Sequence, residues 1–170
     1  MIRCLIAAMA VMLAAPAMAQ PSQMYLDLRA MAFEASPQDI GLTTDEPYGL
    51  IVDWNVGAGV VTIVSFATGD ASLYLDTGGG VIGGFAHERV RQAAQNAVHE
   101  GSGLTGLEPA SRPPSLPMQE GEVTFTVLRP EGAWTMRARE DDLENPSHPA
   151  YQAWVAIHAV ISELRRVAGP

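Results

Sequence analysis

The stretch YGLIVDWNVGAGVVTIVSFATGDASLYLDTGGGVIGG, residues 48–84, decides the reading of the fold. It holds three β-like runs: Tyr48 to Asn55, Gly59 to Ala67 and Ala71 to Asp76. The linkers Val56-Gly57-Ala58 and Thr68-Gly69-Asp70 are short and contain Gly, so neighbouring runs pair as antiparallel hairpins. Alternation is clearest in the third run, where Ala71, Leu73 and Leu75 point one way and Ser72, Tyr74 and Asp76 the other. The product is a three-stranded meander.

Downstream, Thr77 to Gly84 leads into a helix over residues 87–100 with Val90, Ala93, Ala94, Ala97 and Val98 on one face and Gly101 as its stop. Residues 101–121 carry four Gly and four Pro and read as a long loop, a length that invites a search for function. Glu122 to Leu128 and Ala133 to Arg139 alternate around Pro130-Glu131-Gly132, a second hairpin. An acidic link, Glu140 to Glu144, precedes a last helix that ends near Val167 and gathers Ala153, Trp154, Ile157, Val160, Ile161 and Leu164 on one broad face.

Upstream, Ser22 is placed to cap a helix in which Met24, Leu28, Met31, Ala32 and Ala35 recur at helical spacing until Ser36-Pro37 stops it. Leu26 and Phe33, seven apart, fall on the other side. They are either buried there or form an apolar strip for a partner. The order helix, three strands, helix, two strands, helix predicts an α+β fold: a mainly antiparallel five-stranded sheet with three packed helices, in a single domain over residues 20–170.

Met1 to Gln20 has the plan of a secretory signal peptide: Arg3 near the start, an uncharged run from Cys4 to Ala15, then Pro16 and Ala17-Met18-Ala19. Cleavage after Ala19 predicts a periplasmic or secreted bacterial protein that keeps no membrane anchor, and fractionation of a producing culture checks it. The chain has one cysteine, Cys4, which leaves with the signal. A mature chain without cysteine has no thiol nucleophile, no Cys-ligated zinc and no iron–sulfur cluster. No Lys occurs anywhere, so Schiff-base and Walker A lysines are excluded. A net charge of −9 opposes binding to phosphate backbones, so no nucleic-acid partner is expected.

In the order of its elements the chain resembles the profilin-like group, including roadblock and longin domains. The stretch GVVTIVSFATGDASLYLDTGGGVIGG, residues 59–84, with His87-Glu88-Arg89-Val90 after it, is also similar to a family of uncharacterised bacterial proteins. Neither resemblance implies an activity or a catalytic residue.

Motifs with chemistry are incomplete. Gly78, Gly80 and Gly83 fit G-x-G-x-x-G, but the preceding strand alternates and no second parallel strand with an acidic end follows, so no dinucleotide cofactor is expected. His87-Glu88 lacks the second His of a zinc motif, because Arg91 stands in its place. The acids at 140, 142 and 144 fail the EF-hand pattern at Asn145 and Tyr151, so no metal is expected. Thr77, Gly78, Gly79, Gly80 and His87 are candidates for an anion-binding corner at a helix start, with a tight structural bend as the alternative.

The function expected by subtraction is an exported, non-catalytic domain that binds another protein or itself through Leu26, Phe33 and free sheet edges. The alternative is a small-ligand or anion binder, or a hydrolase assembled from distant residues such as Ser162 and His158.

Overall fold

The computed structural model describes residues 20–117 and 119–169; the segment read as an export signal lies outside them. In chain order the elements are α1 (Gln23–Glu34), β1 (Gly49–Asn55), β2 (Val60–Phe66), β3 (Ala71–Leu75), β4 (Gly80–Val81), a 3-10 turn (Gly84–Ala86), α2 (Glu88–Ser102), β5 (Glu108–Ala110), β6 (Glu122–Arg129), β7 (Gly132–Arg139), α3 (Glu140–Leu143) and α4 (Tyr151–Ala168). They build one sheet in the order β4-β3-β2-β1-β6-β7-β5. Every pairing in it is antiparallel.

The α+β class and both hairpins stand, but the sheet has seven strands where five were expected. The two additional strands, β4 and β5, span two and three residues, too short to show a period of two. The acidic link is itself a four-residue helix, α3, which makes four helices instead of three.

Side-chain alternation divides the sheet into two faces. Leu50, Val52, Ile63, Leu73, Val123, Phe125 and Val127 meet Val90, Ala94 and Ala97 of α2 and Ile157, Val160 and Leu164 of α4. Ile51, Val64, Tyr74 and Leu128 face the other way, onto Tyr25 and Phe33 of α1. The helical faces read for α2 and α4 are the buried ones.

For α1 the face differs. Ser22 caps it as expected, accepting from the Tyr25 amide at 3.2 Å. The buried residues are Tyr25, Arg29, Ala32 and Phe33, while Met24 and Met31 are 64% and 65% exposed. Phe33 is fully buried and so is no part of a contact surface; Leu26 keeps 38% of its surface. The two aromatic rings fill more core volume than the methionines, and Arg29 finds a buried partner, so this face wins.

Residues 111–117 strap the α1 side of β6 and β7. Pro114 and Pro117 are both buried, and their carbonyls accept from Arg29 Nη2 at 2.9 Å and from Asn55 Nδ2 at 3.3 Å. The proline-rich loop is held as part of the fold.

Candidate functional site

Thr77 to Gly80 form the turn between β3 and β4, and the turn is held from three sides. Gly78 N–H donates to Leu75 O at 2.9 Å, and Leu75 N–H donates to Gly79 O at 3.1 Å. The Asp76 carboxylate accepts from Val60 N–H at 2.8 Å, and Asp76 O accepts from Ser22 N–H at 2.7 Å. His87 is elsewhere. The chain runs back along β3 through Gly80 and Val81, opposite Tyr74 and Leu73, before α2 begins. Arg91, in the first turn of α2, abuts Gly69 in the turn between β2 and β3. The Gly turn and the helix start therefore lie at opposite ends of β3, five residues or about 17 Å of strand apart. His87 is exposed and its ring caps nothing, so the corner read from the sequence is divided between two places.

Gly79 has φ of +103° with open space where a Cβ would stand, so only backbone strain opposes a side chain there. Gly79→Ala is expected to cost about 1–3 kcal/mol, read as a shift of the urea midpoint.

The same segment makes one edge of the sheet. Leu75 bonds to Gly79, and Leu73 pairs with Val81 two residues on, so the backbone groups of Gly80 and Ile82 point away from β3. No residue from Thr77 to Ala86 is charged, and Ile82 and Phe85 are 63% and 47% exposed. The opposite edge is different. There β5 carries Glu108 and Pro109 and covers β7 only from Ala133 to Thr135, leaving a stretch with Arg137 and Arg139 beyond it. Both edge strands are short, so the difference lies in proline and charge, two devices that keep a strand edge from pairing.

A buried polar network that the sequence reading missed lies beneath α1. Asp53, in the middle of β1, is fully buried and accepts from Arg29 Nε at 2.9 Å, from Arg29 Nη2 at 2.7 Å and from Thr62 Oγ1 at 2.6 Å. Since the Thr62 hydroxyl proton goes to the carboxylate, the Tyr25 hydroxyl donates to Thr62 Oγ1 across 2.8 Å. Burial, and then the Asp53 charge, push the Tyr25 hydroxyl well above its ordinary pKa. The Arg29 guanidinium also lies 4.8 Å from the centre of the Phe33 ring. All of these groups face one another and are closed off from solvent, so the network holds α1 to the sheet. The signal for it was an aspartate inside the apolar run Gly49 to Trp54.

Among the described residues no histidine ring is hydrogen-bonded to a serine or a carboxylate. His148 Nδ1 accepts from the Ala150 amide at 3.1 Å. Ser162 Oγ donates to the His158 carbonyl at 2.8 Å, so this pair is a helix back-bond, not a nucleophile with its base. No group of three or more His, Cys, Asp or Glu side chains among the described residues could hold a metal ion. No described helix is long and apolar enough to cross a membrane.

His158 packs edge-on to Trp154, with ring centres 4.4 Å apart, and lies 5.7 Å from Trp54, whose indole N–H donates to Glu140 at 3.0 Å. Desolvation among these rings lowers its pKa; Glu140 opposes the shift and Arg165 reinforces it. A lowered value means that the unfolded chain binds this proton more readily than the folded one. His158 therefore favours folding at neutral pH, and that contribution is lost as pH falls below the ordinary histidine range. In His158→Gln the urea midpoint is expected to fall less between about pH 7 and about pH 5 than it does in the parent chain.

No family model matches the chain, and neither a curated protein nor a solved structure matches it.

Proposed function

We propose that the chain is an exported, non-catalytic interaction domain whose contact surface is the sheet edge at β4 with Ile82 and Phe85. What carries this reading is the difference between the two edges. One is blunted by Glu108, Pro109, Arg137 and Arg139, while the other runs from Thr77 to Ala86 without a charge and ends in two exposed apolar side chains. Edges left open in this way are templates for pairing with another chain. Leu26 and the exposed methionines of α1 give a weaker surface, because they offer side chains alone and no free backbone groups to align a partner.

The test is photo-crosslinking in producing cells, with a benzophenone amino acid placed singly at positions 82, 85, 109 and 137. Covalent adducts are expected from 82 and 85, with none from 109 or 137. Adducts from 109 or 137 with none from 82 and 85 contradict the reading.

A further inference from the structure

We propose that the occupant of the β4 edge is the β4 edge of a second copy, related by a two-fold axis through Val81. This rests on the reading of that edge as the contact surface, and it adds the partner and the register.

The register follows from which backbone groups are free. Gly80 and Ile82 both point their N–H and C=O away from β3, and a single residue separates them. In an antiparallel pair, residues directly opposite one another must both face the partner in order to exchange two hydrogen bonds. Setting Gly80 opposite the second copy's Ile82, and Ile82 opposite its Gly80, meets that condition twice. Val81 then faces its own copy on the axis. The arrangement is closed and isologous, the commonest form of soluble homo-oligomer.

Side-chain shape agrees with this register. A Cβ on Gly80 would overlap the Leu73 carbonyl oxygen, so the position is bare, and the exposed Ile82 of the other copy lies across a bare strand segment. Gly80 thus sets no side chain against the Ile82 of the other copy.

Charge agrees as well. Around this edge stand Asp70 and Asp76 at the two ends of β3, Glu88, Arg89 and Arg91 of α2, and Glu163, Arg165 and Arg166 of α4. Gly84 lies against both Val90 of α2 and Leu164 of α4, which brings the two helix ends to the edge. Glu88 pairs with Arg91 and Glu163 with Arg166. Four arginines against four acids leave the edge without net charge in a chain of net −9. Two copies can meet there without the self-repulsion that the rest of the surface brings.

The experiment uses the full chain in a Cys4→Ser background, with Val81→Cys as a reporter on the axis and Val56→Cys as the exposed control. Mild oxidation is expected to give a disulfide-linked dimer from Val81→Cys and not from Val56→Cys, since opposed residues of a non-hydrogen-bonded pair lie within disulfide reach. Sedimentation of the Cys4→Ser chain is expected to show a reversible monomer–dimer equilibrium, weakened about 10-fold or more by Ile82→Lys. Ile82 is largely exposed, so thermal unfolding of that variant should match its parent and keep a folding defect apart from an association defect. A chain that remains monomeric, with no disulfide at position 81, overturns the self-pairing. So does a dimer indifferent to Ile82→Lys. If crosslinking at position 82 then captures a different protein, the edge is still the contact surface and only its occupant is wrong; if it captures nothing, both fall.

Discussion

Arg29→Ala is expected to destabilise the fold by about 3–5 kcal/mol, measured by urea unfolding at neutral pH. The Asp53 carboxylate has no exposed surface and takes three of its hydrogen bonds from Arg29 and Thr62. Removing the guanidinium leaves an uncompensated charge in the middle of β1, between Thr62 and Thr124 on the flanking strands. It also frees the Pro114 carbonyl that the strap loop presents to Arg29. Arg29→Leu combined with Asp53→Leu removes both charges and is expected to recover most of the loss, because the pair as a whole contributes little beyond its own desolvation cost. If Arg29→Ala alone stays within about 1 kcal/mol of the parent, the pair is solvated and the packing of α1 is wrong.

Phe33→Ala is expected to cost about 3–5 kcal/mol, and Leu26→Ala less than about 1 kcal/mol, in the same assay. Phe33 is fully buried in a cluster with Tyr48, Ile51 and Leu128, whereas Leu26 is exposed and outside that cluster. Equal costs at the two positions would mean that α1 uses a different face. The comparison separates core from surface for two residues that the sequence places together.

That difference shows where sequence stops being informative. Ala32 belongs to both patterns, so periodicity alone cannot choose between Met24-Leu28-Met31-Ala32-Ala35 and Tyr25-Arg29-Ala32-Phe33. The choice depends on Asp53, 24 residues further along, and a contact across that separation leaves no local mark beyond an acid in an apolar strand. The meander and the second hairpin were legible because each strand is five to eight residues long and the links between them are tight. β4 and β5 were not, since a strand of two or three residues forms only because a longer neighbour offers it an edge. The Gly segment was legible as unusual and misplaced in space: G-x-G-x-x-G suggested a loop running straight into a helix start. The pairing of Gly80 and Val81 with β3 carries the chain to the other end of that strand first.

If the β4 edge is the surface that another chain covers, its backbone amides are the groups that change state on association. Amide hydrogen exchange of the full chain, compared at low and high micromolar protein concentration, reads that edge directly. Protection gained with concentration is expected to be confined to residues 77–86, with Gly80 and Ile82 gaining most. Gain confined to the exposed face of α1 around Met24 and Met31, with 77–86 unchanged at every concentration, contradicts it.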